Sequence, residues 1–572
     1  MVQTIKTLVV SAIVTMVLCS SAMAQQDHHP KITIGHSGIK TLKDDLTYLL
    51  SLTSATEQKQ LVNILDFIDL LVFGVDPQRP IRIDILANTT PSTFVIWGPY
   101  QVLANLMDDN LSAQFQLRKD SKDLHKLLGQ DPGWFRVLPT LKYGILILAQ
   151  NDSDMNLLKQ IIQKMINPAP EIEPLLMNSA NMGVSLVNKA ISADDMTKRR
   201  NSFGEFRSNK NDTLQKRPTE SATEFALRKA LVANQIDELE RLMVEASEAS
   251  SRVFLDKENG SAKVLFSATA IEETSLATSI ALFGQKPDAF DSVKPLDETV
   301  VSLRGNHPID ELRQKHALSF IDLMKQDAAA RIAADSKLTP EEKTASQGVF
   351  DGIMDVAADG IKSGNVNGFL ESIVNAEGEF VSIAGVSVVG GKRLDAALEM
   401  IARTGNGNMI SMNTSKVGDV DIHELRLAEG FFPMFDDLFG ANKTLYIGTS
   451  ESIVWIGTGA ESIKLLTAAI EGLGEPAMND TVLTIKGRVL PWAERTLKLV
   501  KSRKLTDQAQ EARRRDRERS LEMAVSSLQE KDDAHFIMKV ADGVSTGEIF
   551  VNTGILKYLG REISLYSRNN LQ

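Results

Sequence analysis

The chain has 572 residues, of which 43% are apolar and 24% charged, and its formal net charge is −11. This acidic balance disfavours nucleic acid or an anionic membrane surface as a general partner. The single cysteine, Cys19, has no second cysteine with which to form a disulfide, and it excludes thiolate zinc sites and iron–sulfur clusters.

Residues 1–24 have the pattern of a secretory signal. Lys6 precedes an apolar run from Leu8 to Leu18, and Ala22-Met23-Ala24 provides a small-x-small cleavage pattern. The run is too short for a membrane-spanning helix, which needs roughly 20 residues. We predict cleavage after Ala24, export to the periplasm or the exterior, and a flexible N-terminus at 25–40. An uncleaved N-terminal anchor is the alternative.

Removal of this signal also removes Cys19 and one basic residue. The mature chain then has 62 basic residues against 74 acidic ones and no cysteine. An exported chain of this kind must be held together by its hydrophobic core rather than by disulfides. No later stretch is apolar over the length of a transmembrane helix, so we expect no integral membrane segment after cleavage.

Residues 41–193 are predicted to form an N-terminal lobe of helices and strands. Ser54 to Glu57 is a capping box, which predicts a helix start. Alternating or continuous apolar runs predict the strands, and apolar residues at helical spacing predict the helices. The predicted strands are 81–85, 93–97 and 143–149, and the helices include 124–128 and 153–166.

Two segments are predicted between the lobes. Residues 194–222 are polar and rich in basic side chains, which favours a solvated linker over a loop that binds an anionic partner. Residues 223–375 are predicted to be a helical middle segment. Within it, Thr339-Pro340-Glu341-Glu342 combines a capping box with proline at the first helical position and opens a helix.

Residues 376–572 are predicted to form a C-terminal lobe. Residues 420–474 show the pattern of three short antiparallel strands followed by an amphipathic helix. The apolar side changes near His423 and Glu424, which indicates a β-bulge or a strand end. Residues 498–533 are predicted to be a long exposed helix with mixed charges.

The two lobes share an apolar pattern. At a shift of 308 residues, Ile145–Ala149 falls on Ile453–Gly457, and Leu157-Leu158 falls on Leu465-Leu466. Upstream, Phe94–Gly98 can be set beside Val386–Gly390. The pattern predicts an α+β fold of two related lobes, each a mainly antiparallel sheet with helices packed on one face. Chance convergence of two strand-then-helix units is the alternative.

The strand at Ile453–Gly457, with the A-E-x-I-K-x-L helix after it, resembles a motif of large uncharacterised exported proteins of planctomycete-type bacteria. The resemblance covers residues 380–490 and extends weakly to the N-terminal lobe. It implies export and a duplicated α+β fold. No catalytic residue is carried over with it.

Motifs of known chemistry are incomplete in this sequence. Ser37-Gly38-Ile39-Lys40 has the S-x-x-K spacing of penicillin-recognising enzymes, but the S-D-N and K-T-G elements are absent. Gly457-Thr458-Gly459 precedes a helix, yet Ser462 stands where a dinucleotide-binding fingerprint needs its third glycine. A tight strand-to-helix turn is the better interpretation.

Metal and acid–base motifs are also missing. The sequence has no H-E-x-x-H, and His423-Glu424 is the one pair able to act together, which we interpret as a solvent-facing strand histidine and its neighbour. Asp108-Asp109-Asn110 and Asp152-Ser153-Asp154 are predicted acidic turns that lack the spacing of a calcium loop. We predict no catalytic, cofactor-binding or metal-binding residue.

Three hypotheses of function remain. The first is an exported non-enzymatic protein that binds a protein partner or a ligand through a cleft between the lobes or through the long charged helices. The second is a carrier for an apolar small molecule or lipid, with the Trp97 and Trp455 strands lining its pocket. The third is a hydrolase with a dispersed Asp/Glu/His site. The predicted core positions are Ile147, Leu148, Leu157, Trp455, Ile456, Gly457 and Leu465.

Overall fold

A computed structural model describes most of the chain, and the fold is given for that part. No helix within it is both long and apolar enough to cross a membrane. The described residues are 32–52, 74–86, 93–112, 115–128, 132–148, 155–167, 172–188, 192–218, 220–336, 338–403, 410–426, 438–439, 444–502, 508–529 and 531–560.

The chain forms two compact units, and each combines antiparallel strands with helices, as the predicted α+β class requires. The described residues of the first unit fall within Met1–Thr213, Ile236–Leu276 and Leu559–Gln572. The second contains Leu214–Gln235 and Ala277–Tyr558.

Ten strands of the first unit pair in the order β4-β5-β6-β7-β3-β2-β1-β8-β9-β10, and every pairing is antiparallel. The strands are β1 Ile32–His36, β2 Ile81–Leu86, β3 Thr93–Pro99, β4 Gln116–Lys119, β5 Leu124–Leu128, β6 Gly133–Leu138, β7 Tyr143–Leu148, β8 Met182–Val187, β9 Ala246–Asp256 and β10 Ser261–Ala270.

Ten strands of the second unit pair in the corresponding order, β14-β15-β16-β17-β13-β12-β11-β18-β19-β20. The same path through the sheet is therefore followed twice along the chain. The strands are β11 Val301–Pro308, β12 Asn365–Val374, β13 Phe380–Ser387, β14 Ile410–Val417, β15 Val420–Arg426, β16 Thr444–Thr449, β17 Ile453–Thr458, β18 Thr481–Arg488, β19 Asp533–Ala541 and β20 Val544–Asn552.

Along the chain, the helices of the two units follow corresponding strands. A π-helix at Asn105–Leu111 follows β3, where α8 follows β13 in the second unit. The α-helices are α1 Ile39–Ser51, α2 Met155–Lys164, α3 Ala193–Thr213, α4 Ala222–Glu240, α5 Ser275–Leu282, α6 Glu311–Ala334, α7 Pro340–Lys362, α8 Arg393–Arg403, α9 Ser462–Glu471, α10 Leu490–Ser502 and α11 Gln508–Leu528.

The registers of the two sheets can be aligned by matching one residue pair in each sheet. Thr33 lies opposite Asp84 in the β1–β2 pair, and Ser302 lies opposite Glu371 in the β11–β12 pair. Following the registers outward from these pairs places Tyr143–Leu148 on Ile453–Thr458. The strand offset is thus 310 residues rather than the predicted 308. The same comparison places Phe94 on Ser382 rather than on Val386.

In each unit a helix packs over the core face of the sheet. In the first unit, β3, β6 and β7 pack on α2, and Leu158 of that helix is fully buried. In the second unit, β13 and β17 pack on α9, whose Leu466 is fully buried. For these two leucines the predicted offset of 308 residues does hold.

Several predicted elements are confirmed, and the clearest is the start of α7. Thr339 accepts a hydrogen bond from the backbone N–H of Glu342, and the Glu342 carboxylate accepts one from the backbone N–H of Thr339. The strands predicted at 81–85, 93–97 and 143–149 are β2, β3 and β7. The capping box at 54–57 lies outside the described residues.

Other predictions are wrong. Residues 194–222 are largely helix α3 rather than a linker, and its arginines form ion pairs within the chain, such as Arg207 with Asp237 at 2.5 Å. The middle segment is not purely helical, because β9, β10, β11 and β12 lie between residues 223 and 375. Residues 124–128 form a strand, and β1 lies within the predicted loose N-terminus. The helix predicted at 498–533 is α10 and α11, with residues 503–507 outside the described part.

Candidate functional site

Two of the sequence motifs, the S-x-x-K at residues 37–40 and the Gly-Thr-Gly at residues 457–459, have structural explanations. Lys40 forms an ion pair with Asp44 one helical turn away, at 2.7 Å, as part of the surface of α1. At Gly459 φ is +94°, and an added Cβ would lie 2.4 Å from the Phe380 carbonyl oxygen. The Gly-Thr-Gly segment is therefore a tight turn between β17 and α9, as predicted.

The two acidic triplets do not provide cation sites. Residues 108–110 lie within the π-helix rather than in a turn, and residues 152–154 lie outside the described part. Among the described residues, no group of three or more histidine, cysteine, aspartate and glutamate side chains is arranged to hold a metal ion.

His423 is fully buried, which contradicts its predicted solvent exposure. Its Nδ1 accepts a hydrogen bond from the Asn413 backbone N–H at 3.2 Å. Its Nε2 lies 3.1 Å from both Asp395 Oδ1 and Thr449 Oγ1, and Thr449 donates to Asp395 at 2.6 Å. The register of β14 against β15 shifts between Ser411 and Ser415, beside His423, so the predicted bulge lies in the neighbouring strand.

These contacts determine what His423 can do. Because Nδ1 already accepts a hydrogen bond, the neutral ring carries its proton on Nε2 and donates it towards Asp395 and Thr449. The ring then has no free lone pair with which to activate the Thr449 hydroxyl as a nucleophile. The cluster holds α8, which carries Asp395, against β15 and β16.

A buried carboxylate lies on the helix-covered face of the first unit. Asp84 accepts hydrogen bonds from Arg82 at 2.7 Å, from the Trp97 indole at 2.7 Å and from Thr33 at 3.0 Å. Burial raises the pKa of Asp84, and the three donors, with the charge of Arg82, act in the opposite direction. All four side chains are buried within the sheet–helix layer, so this cluster is part of the core.

The second unit has a buried carboxylate at the corresponding register position. Glu371 accepts hydrogen bonds from Ser302 at 2.8 Å, from Arg304 at 3.0 Å and from Thr299 at 3.2 Å. The Arg304 guanidinium also donates to the Val293 carbonyl at 2.6 Å. A hydroxyl on the first strand and a carboxylate on the second thus recur in both sheets.

The opposite face of the second sheet carries a continuous line of apolar side chains, which we call the second-unit row. These residues lie opposite one another across eight neighbouring strands, and none of them is fully buried. The row ends beside His423 on β15. In strand order its members are Ile549, Phe536, Ile485, Leu303, Leu370, Ala384, Ile456 and Ile447.

The middle of this row is the most open part. Leu303 and Ile456 expose 37% and 38% of their surfaces, and their neighbours on the same face, Val386 and Val366, expose 43% and 44%. Apolar side chains this open on four adjacent strands of a core sheet are typical of a surface that receives a ligand or a partner. The second-unit row is the candidate functional site.

The residues predicted to line an apolar pocket lie on the other face. Trp97 and Trp455 are buried in the two cores against α2 and α9, so their indole rings line no open pocket. Ile456 follows Trp455 and projects to the opposite face, because successive strand residues alternate. The core placement predicted for Ile456 is therefore wrong, as it is for Leu157, which is 38% exposed. Ile147 and Trp455 are fully buried, as predicted.

The sequence alone does not predict the second-unit row, because its members come from strands far apart in the chain. Each strand alone shows only the alternation of a half-buried segment. The one signal in the sequence is that several strands carry apolar residues on both faces. Val386 and Ile456 are the apolar residues on the face that does not pack on the helix.

No protein-family model and no curated protein matches the chain. Among solved structures, TP0453 in its crystal form IV is similar with a TM-score of 0.21 and 6% sequence identity, over 42% of this chain and 77% of that chain. A TM-score this low supports no argument about fold or function.

Proposed function

We propose that the protein is a non-enzymatic carrier of an aliphatic molecule, with the second-unit row as the binding surface. The observation that supports it is the incomplete burial of all eight apolar side chains of the row. Covering a half-exposed leucine or isoleucine stabilises a complex through the hydrophobic effect, by about 25 cal/mol for each Å² removed from water.

The chemistry of the row favours an aliphatic occupant over a polar one. No side chain of the row carries a charge or a hydrogen-bonding group. The seven strands of the row other than β20 are each paired on both edges. An added peptide strand therefore has no free backbone groups to bind there. An acyl chain requires no hydrogen bond, which makes it the best match.

The length of the row supports the same choice. With about 4.8 Å between neighbouring strands, its eight positions span about 34 Å. One leaflet of a bilayer, and hence one acyl chain, is about 15 Å thick, half of the hydrocarbon core of about 30 Å. The row is therefore long enough for an extended acyl chain lying across the strands.

Binding of palmitate to delipidated protein tests this function. In Ile456→Glu, a carboxylate would be covered by the acyl chain, so we expect palmitate to bind at least about tenfold more weakly. Met478→Glu is the matched control, because Met478 is 58% exposed and lies outside the sheet. Equal affinity of the wild type and of both variants would reject the row as the binding surface.

We further propose that the protein is exported and that its two units descend from one duplicated ancestor. The signal-type residues 1–24 support export, and the shared strand order supports duplication. N-terminal sequencing of the protein from its native cells tests the first point, since a mature chain that begins at Gln25 is expected. A chain that retains residues 1–24 would contradict it.

A further inference from the structure

We infer that the first unit holds a second binding site of the same class, suited to a shorter aliphatic chain. This inference rests on the proposed function of the second unit. It is carried by the register of the first sheet, which places an apolar row where the second sheet has one. We call this line of residues the first-unit row.

The first-unit row coincides with the second-unit row position by position. From the matched pairs Thr33–Asp84 and Ser302–Glu371, the registers place the two rows on the same face, opposite the face that carries the two carboxylates. The central residues Ile34, Ile83, Ile96 and Leu146 correspond to Leu303, Leu370, Ala384 and Ile456.

Both rows also end at a histidine. Leu146 lies opposite Phe135, and Phe135 lies opposite His125. In the second unit, Ile456 lies opposite Ile447, and Ile447 lies opposite His423. The correspondence therefore extends beyond the apolar residues to the polar side chain that limits them.

The first-unit row is open in its centre. Ile96 is 37% exposed, and Phe94 beside it on the same face is 43% exposed. Ile34 and Ile83 are half-buried. The four strands β1, β2, β3 and β7 are each paired on both edges, so an occupant again has no backbone group to bind and no charged side chain of the row to pair with. An aliphatic chain fits these conditions in the first unit as it does in the second.

The open stretch of the first-unit row is shorter. At one end Phe135 is buried in a cluster with Leu106 and Leu111 of the π-helix, and Leu146 packs against the same cluster. At the other end Val184 is followed by Ser251 on β9, whose hydroxyl interrupts the apolar line. Four positions remain, from Val184 to Ile96. They span about 14 Å, compared with about 34 Å in the second unit. Because this is slightly less than the acyl chain of about 15 Å considered above, the site should favour a medium-length chain.

The test counts bound fatty acids by native mass spectrometry on the delipidated mature chain. With decanoate the wild type should bind two molecules, Ile96→Glu one and Ile456→Glu one. Palmitate binding should depend mainly on Ile456. A single decanoate that is lost only in Ile456→Glu would overturn the second site and leave the proposed function intact. No binding of either fatty acid to the wild type would overturn both.

A photoreactive decanoate derivative gives a second readout on the wild-type protein, which does not depend on the folding of a variant. Label is expected in peptides that contain β2 and β3 as well as in peptides that contain β13 and β17. Label confined to β13 and β17 would contradict the first-unit site. Label confined to other peptides would contradict the proposed function as well.

Discussion

Thr33 donates a hydrogen bond to the buried carboxylate of Asp84 across the β1–β2 pair, at 3.0 Å. Ser302 makes the corresponding bond to Glu371 across β11 and β12, at 2.8 Å. A hydroxyl therefore satisfies a buried acid at the same register position of two separate sheets. The two pairs lie on the sheet faces opposite the apolar rows. Each links two central strands that also carry residues of a row.

The first prediction concerns Asp84. Asp84→Leu removes the carboxylate to which Arg82, Trp97 and Thr33 all donate, and breaking a buried ion pair from one side costs about 3–5 kcal/mol. Thr33→Val removes a single donor and should cost about 1–3 kcal/mol. Urea unfolding of both variants measures the difference. A smaller loss for Asp84→Leu than for Thr33→Val would contradict the central role of the carboxylate.

The second prediction compares the two buried tryptophans. Trp455→Ala should destabilise the second unit by about 3–5 kcal/mol, because it leaves a cavity in a packed core. Within the described residues the Trp455 indole N–H has no hydrogen-bond partner, whereas that of Trp97 donates to Asp84.

The matched variants Trp97→Phe and Trp455→Phe separate packing from hydrogen bonding. Each replaces the indole with a smaller ring, but only Trp97→Phe removes a bond to a buried carboxylate. We expect Trp97→Phe to be more destabilising by about 1–3 kcal/mol in chemical denaturation. Equal losses would show that the bond to Asp84 contributes nothing.

The third prediction concerns the contacts that hold α8 to the sheet. His423→Leu and Thr449→Val each remove hydrogen bonds to Asp395, and each should cost about 1–3 kcal/mol of unfolding free energy. Because the two side chains share one partner, their effects should not add in the double variant. Strict additivity in a double-mutant cycle would mean that the three side chains do not act as a unit.

The fourth prediction is a pH dependence. The hydrogen bonds from Arg228 lower the pKa of Glu220 from its ordinary 4.5 to about 2. A carboxyl whose pKa is lower in the folded state stabilises the fold above about pH 4.5, and this contribution is lost as the pH falls towards 2. The stability gap between the wild type and Glu220→Gln should therefore be widest near neutral pH and shrink in acid.

A double-mutant cycle with Arg228→Gln assigns this effect to the pair. The coupling between the two positions should follow the same pH profile as the gap. A coupling that stays constant from neutral pH to pH 3 would exclude the Glu220 carboxylate as its source.

The fifth prediction tests the N-terminus of α7. Thr339→Ala removes the side-chain acceptor of the capping box and should cost about 0.5–2 kcal/mol. Thr339→Ser keeps a hydroxyl at the same place and should restore most of the loss. Thermal unfolding of the two variants provides the comparison, and an alanine variant as stable as the wild type would contradict the capping role.

Local patterns in the sequence determined much of the secondary structure. The alternation in Ile81–Ile85 and the capping box at Thr339 both depend on residues a few positions apart, so the sequence alone is enough to predict them. The α+β class follows from the same signals. The prediction failed where intrinsic pattern and tertiary contact disagree, as at Leu124–Leu128, which pairs with two neighbouring strands although a short helix was expected.

Only the tertiary structure decided which side of each strand is buried. Trp455 and Ile456 are adjacent apolar residues, and sequence alone assigned both to the core. The packing of α9 on one face buries Trp455 and leaves Ile456 open, because neighbouring residues of a strand project to opposite faces. The two apolar rows, the buried carboxylates Asp84 and Glu371, and the buried His423 all depend on contacts between strands that are separate in sequence. The registers of these strands are set by their pairing in the sheet rather than by local sequence.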